Sequence, residues 1–136
     1  MTELFSADWM KQFQQAWNSE PEMVEPLAKA GFNSVIGYGY TDQDKPSGYI
    51  GVENGKVTSA GSYSAQTLNW DLRASKQQWQ EWLSKDVGLT TLGAAVTMGR
   101  LKFKKGDYAS MIKNPGLAGP FIKSFNLMGR MQMENA

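Results

Sequence analysis

A chain of 136 residues has room for one domain and little for two, and with 41% of its residues apolar it can build a real core. It contains no cysteine and no histidine, which excludes disulfides, thiol chemistry, imidazole metal sites and histidine-based triads. The net charge of +1 hides an uneven spread: residues 1–99 carry 7 basic and 11 acidic side chains, net −4, while residues 100–136 carry 7 and 2, net +5.

The first residues, MTELFSADWM, lack a basic region followed by an apolar run, and no stretch approaches the ~18 apolar residues of a membrane span, so a soluble, cytoplasmic chain is expected. Residues 7–19 read as an amphipathic helix capped by Ser6, with Trp9, Phe13 and Trp17 at i, i+4 and i+8. Its polar face is rich in Gln and carries only Lys11 as a cation, so the aromatic stripe reads as core, not as a membrane anchor. Pro21 opens a second short helix ended by Gly31, in which Pro26 fits if it falls in the first turn.

From Phe32 the period changes to two, with Ile36, Tyr38 and Tyr40 on one face and Val35, Gly37 and Gly39 on the other. TDQDKPSG at 41–48 is a loop by composition. Asn54-Gly55 between two apolar runs predicts a type I′ hairpin with Glu53 facing Lys56. TLNWDLRAS alternates again, with Leu68, Trp70, Leu72 and Ala74 predicted inward and Thr67, Asn69, Asp71 and Arg73 outward. Ser75 and Gln78 make a capping box for a helix striped by Trp79, Trp82 and Leu83.

After Gly88, Leu89, Leu92 and Val96 are spaced along one helical face. GRLKFKKGD, from residue 99, then places Leu101 and Phe103 on one side of a strand and Arg100, Lys102 and Lys104 on the other. A helix from Asp107 carries Tyr108, Met111 and Ile112, NPG at 114–116 breaks it, and a last helix over roughly 117–132 carries Phe121, Ile122, Phe125 and Met128. The order of elements is an α+β layout with helices covering one face of a sheet.

Three function classes compete on the residues alone. Asp42 and Asp44 could act as paired carboxylates beside Tyr38 and Tyr40, but ordinary turn chemistry explains that loop, and no phosphate loop, nucleophile elbow or dinucleotide fingerprint occurs. Nucleic acid is disfavoured, because the chain's pI of about 7.9 falls short of the usual basic footprint and Phe103 is read on the inward face. The apolar C-terminal set, which includes Leu89 and Met98, could fill a core or line a cavity; Met and Phe together suit an adaptable apolar pocket.

The run from TLNWDLRAS through SKQQWQEWL to TMGRLKFKKGDYASMI is similar to the sterol carrier protein type-two family of lipid-binding domains. Its motif G-[KR]-L-K-[IVF]-x-G-[DN] matches GRLKFKKGD with one extra residue, Lys104 or Lys105, which could form a bulge. The element order matches over about 32–113 and the motif over 66–112, so the chain is read as one such domain, 1–136, with N-terminal helices at 1–31, the recognised core at 32–113 and a C-terminal helix at 114–136.

The resemblance implies a mostly antiparallel five-stranded sheet covered by helices, with an apolar tunnel between them that accepts a long-chain fatty acid, fatty acyl-CoA or related lipid. It implies no catalysis, no cofactor and no metal. Trp70, Trp79, Trp82, Leu92, Val96, Phe103, Met111, Ile112, Phe121 and Phe125 are the expected ligand contacts, and Arg100 and Lys102 the expected head-group contacts. The last helix could cap a tunnel mouth, make transient membrane contact or form a homodimer face. The runner-up is an interaction module of the same fold with a filled core.

Overall fold

Local signals set the elements. Ser6 accepts a hydrogen bond from the Trp9 N–H and starts helix α1 (Ala7–Asn18), and Pro21 stands at the first position of α2 (Pro21–Lys29). Strand β1 (Ser34–Tyr40) follows, then a hairpin of β2 (Gly48–Glu53) and β3 (Lys56–Ser62). Asn54 and Gly55 turn it with φ of 48° and 82°, the two positive values a type I′ turn requires, and Glu53 pairs with Lys56 as expected. Strand β4 (Trp70–Ala74) leads into α3 (Lys76–Trp82), capped by the Ser75 hydroxyl accepting from the Gln78 N–H, and α4 (Leu89–Thr97) into β5 (Lys102–Lys105). Helices α5 (Tyr108–Lys113) and α6 (Pro115–Glu134) complete the chain, with the Asn114 side chain accepting from the Gly116 N–H between them.

The protein is described by a computed structural model covering residues 3–85, 87–106 and 108–134, apart from the side chains of Ile112, Pro115 and Glu134. Asp107, where the sequence starts the fifth helix, lies outside the described residues.

The five strands form one sheet in the order β3-β2-β1-β4-β5. Three of its pairings are antiparallel and β1–β4 is parallel, so the sheet is mixed but mostly antiparallel, and the fold is α+β. The inner face presents Ile36, Tyr38, Ile50, Val52, Val57, Leu72 and Ala74 to a core completed by Trp9, Phe13, Trp17, Trp79 and Phe125. In the pairing of β4 with β5, one step from Asp71 to Leu72 is matched by two from Lys105 to Phe103. The extra lysine is therefore a bulge at Lys104.

Three expectations need correction. Asp71 and Arg73 do face away from the helices, but they are buried: the 41–47 loop folds over them, and Arg73 is fully covered. Leu68 lies on that same outer side, against Gly37, because the strand begins only at Trp70. Pro26 sits in the second turn of α2, not the first, so the Glu22 carbonyl loses its helical donor; Glu22 is exposed, where solvent can replace it.

Candidate functional site

Between the inner face of the sheet and the helices lies an apolar cavity of about 30 Å³. Ile36 and Tyr38 of β1 and Trp70 and Leu72 of β4 form its floor. Trp17, Leu27 and Phe32 close one side, and Met111 of α5 with Leu117, Pro120, Phe121 and Ser124 of α6 close the other. The hydroxyl at its helical wall is satisfied internally, with Ser124 Oγ donating to the Phe121 carbonyl at 2.6 Å.

Trp70, Met111 and Phe121 are thus brought together at the cavity. Other expected contacts join them through touching rings: Trp70 to Phe103 at 5.9 Å, Phe103 to Phe121 at 6.0 Å, Phe121 to Phe125 at 5.2 Å, and Phe125 to Trp79 at 5.8 Å and Trp82 at 6.4 Å. Trp79, Trp82, Leu92 and Phe125 are buried in the main core, and the Trp79 indole N–H donates to the Gly39 carbonyl at 2.8 Å. The Ile112 side chain lies outside the described residues.

Val96 and Phe103 instead line a second, open groove of about 570 Å³, bounded by the end of α4, by β5 and by the start of α5. Lys102 and Lys104 stand on it, while Arg100 is exposed nearby in sequence and is not among its lining residues. Phe103 and Tyr108 lie between this groove and Phe121 at the cavity, with the Tyr108 ring 5.9 Å from Phe103 and 6.1 Å from Phe121.

Sequence reasoning misses the contribution of α6 through Leu117, Pro120 and Ser124. With Phe121 these fall at i, i+3, i+4 and i+7, so the face is present in the spacing, but a proline and a serine do not register as apolar. Leu89 and Met98, counted with the apolar set, are exposed. Asp42 and Asp44 have exposed side chains on the 41–47 loop, and Tyr38 faces the cavity instead of joining them.

Burial pushes the Tyr38 hydroxyl well above its ordinary 10.0. Below that value both folded and unfolded states hold the proton; above it the unfolded state ionises first, so stability falls as pH rises. Tyr38→Phe is expected to flatten that decline between about pH 9 and 11, measured as the urea midpoint against pH.

No protein-family model matches the chain, and no curated protein does. Solved structures do. The crystal structure of sterol carrier protein 2 is 17% identical and superposes with a TM-score of 0.71 over 93% of this chain and 98% of that one. A conserved hypothetical protein of Thermus thermophilus, described as possibly a sterol carrier protein, is 18% identical, with a TM-score of 0.64 over 94% and 91%. The ubiquinone synthesis protein UbiJ-SCP2 is 9% identical, with a TM-score of 0.56 over 88% and 86%. Agreement over nearly the full length of both chains fixes the architecture: this chain has the fold of sterol carrier protein 2.

Proposed function

We propose that this chain is a non-catalytic cytoplasmic carrier, a single sterol-carrier-type domain over 1–136, that takes a long-chain fatty acid, fatty acyl-CoA or related lipid between its sheet and helices. The observation that carries the reading is the apolar cavity between β1 and β4 of the sheet and helices α1, α2, α5 and α6, in a fold shared with sterol carrier protein 2. At about 30 Å³ it has room for a water molecule or two and not for an acyl chain, so a chain enters by displacing side chains. Met111 is unbranched and adaptable, and Phe121 is among the lining residues that are only half-buried, so both can yield to a chain.

Each buried methylene contributes about 0.8 kcal/mol, so about ten methylenes supply the roughly 8 kcal/mol of a micromolar complex before the cost of reordering the wall. In this reading Trp70, Met111 and Phe121 touch the chain first, the ring series through Phe103, Phe125, Trp79 and Trp82 with Leu92, Val96 and Ile112 surrounds it, and Arg100 and Lys102 meet an acidic head group.

Native mass spectrometry of the protein as purified from cells, repeated after solvent extraction, tests this. Adducts with the masses of fatty acid, acyl-CoA or phospholipid support it. A clean apo mass with no uptake of added palmitate or palmitoyl-CoA overturns it in favour of a filled-core interaction module. Phe121→Trp and Met111→Trp should each weaken palmitate binding about tenfold or more while the protein still unfolds cooperatively. Parental affinity in both variants would remove the ligand from this cavity.

A further inference from the structure

We infer that the Tyr108 hydroxyl is the hydrogen-bond donor for the oxygen at the head of a bound acyl chain, a carboxylate or a thioester carbonyl. The inference rests on the carrier reading above and adds to it the place of the ligand's polar end. Among the described residues, Tyr108 Oη is the buried side-chain polar atom with no hydrogen-bond partner. Other buried polar side chains are satisfied within the fold: Arg73 by Asp71 and backbone carbonyls, Ser124 by the Phe121 carbonyl, and Trp17 by the Gly55 carbonyl at 2.9 Å. A buried donor left unpaired destabilises the fold that holds it. Phenylalanine would pack the same ring without that cost, so the hydroxyl contributes nothing to the fold alone.

Its surroundings suit an acyl head. Tyr108 opens α5, and its ring packs edge-on against Phe103 at 5.9 Å and against Phe121 at 6.1 Å. Phe103 and Phe121 are themselves 6.0 Å apart, so the three rings close a triangle. Phe121 lines the cavity, whereas Phe103 and Tyr108 line the open groove of about 570 Å³. The hydroxyl end points to Gly93 of α4, where an added Cβ would stand 3.6 Å from Oη. Among the described residues no other atom from outside α4 comes within 4 Å of that position, so the glycine leaves room beside the hydroxyl.

Polarity sets the direction of the chain. The cavity is apolar, and its one hydroxyl, on Ser124, already donates to the Phe121 carbonyl, so a carboxyl group buried there would go unanswered. The tail therefore takes the cavity by displacing Phe121, and the head lies toward the groove. A chain laid that way passes the Tyr108 ring, which brings its first oxygen to the unpaired donor. Any group beyond a thioester continues into the open groove.

Tyr108→Phe removes the donor and keeps the ring. Without ligand, its urea midpoint is expected to equal or exceed the parent's. Its affinity for palmitate should fall about tenfold or more, because a hydrogen bond to an ionised group is lost, and for palmitoyl-CoA about three- to tenfold, because that carbonyl is neutral. Palmitate isotopically labelled at its carboxyl carbon should give a bound NMR resonance that moves between parent and variant, whereas a label on the terminal methyl should not move. A loss confined to palmitate assigns the donor to free fatty acid, and one confined to palmitoyl-CoA assigns it to the thioester; either supports the inference.

A lower midpoint without ligand would show that the hydroxyl already has a partner in the fold and would overturn the inference. Parental affinity for both ligands with an unmoved carboxyl resonance would overturn it too. In both cases a parent that takes up palmitate or palmitoyl-CoA keeps the carrier reading. A parent that takes up neither overturns the donor role and the carrier reading together.

Discussion

Replacing Arg73 with methionine is expected to lower stability by about 3–5 kcal/mol, read as a fall in the urea midpoint, because it leaves a buried carboxylate without its cation. Arg73 Nε donates to Asp71 Oδ1 at 2.6 Å and Nη2 to Asp71 Oδ2 at 3.2 Å. Nη1 donates to the carbonyls of Tyr40 at 3.1 Å and Gln43 at 2.7 Å, and Nη2 also reaches the Asp44 carbonyl at 3.4 Å. These bonds occupy the full donor set of a guanidinium.

Methionine fills much of the same volume, so the loss reports the polar network and not a cavity. Arg73→Lys should fall between parent and Arg73→Met, since an ammonium can answer Asp71 but cannot span the loop carbonyls at the same time. Asp71→Leu combined with Arg73→Met should recover part of the loss, because an apolar pair carries no unpaired charge. Amide exchange within residues 41–47 should quicken in both single Arg73 variants, as the carbonyl contacts of Arg73 hold that loop on the sheet. A midpoint for Arg73→Met equal to the parent's would show that this network does not hold the outer face closed.

That network also marks where sequence reasoning stops. Polar residues alternating with Leu and Trp are the pattern of a half-solvated strand, so Asp71 and Arg73 read as facing water; nothing in the spacing announces that a loop from residue 41 onward covers them. The parallel pairing of β1 with β4 is hidden for a related reason. Short strands in succession read as antiparallel neighbours, whereas here the β2–β3 hairpin occupies one side of β1 and the returning chain pairs on the other.

What depends on local chemistry is legible. Asn54-Gly55 needs only its own backbone preference to make a type I′ turn, and Ser6 and Ser75 cap through atoms three residues away. The extra lysine of GRLKFKKGD can be read as a bulge because one added residue in a strand has few other outcomes. The site lies between these extremes. Trp70, Met111 and Phe121 follow from the family resemblance, while Trp17 on the opposite wall reads as plain core, which periodicity cannot tell from a cavity lining.

The glycine of that same motif joins the strand chemistry to the site, and its substitution is the second large effect expected. Gly106 has φ of 88°, a left-handed conformation that costs an L side chain about 1–2 kcal/mol. A Cβ there would also stand inside the contact distance of the Trp70 indole, 2.7 Å from Cδ2 and Cζ3. Trp70 cannot retreat freely, because its ring packs edge-on against Phe103 at 5.9 Å and its other surroundings include the cavity.

Overpacking of this kind costs about 1–3 kcal/mol, so Gly106→Ala should lose about 2–5 kcal/mol in all. Trp70→Leu in the same chain removes the obstructing ring, and the double variant should show a favourable coupling of about 1–3 kcal/mol, leaving the backbone part of the loss in place. On the carrier reading, Gly106→Ala should also weaken palmitate binding at temperatures where the variant stays folded, since the displaced indole has the cavity as its open side. Additive losses in the double variant would mean that Gly106 is required for its backbone conformation alone. The expected coupling would show that this motif glycine is held by the residue that floors the cavity.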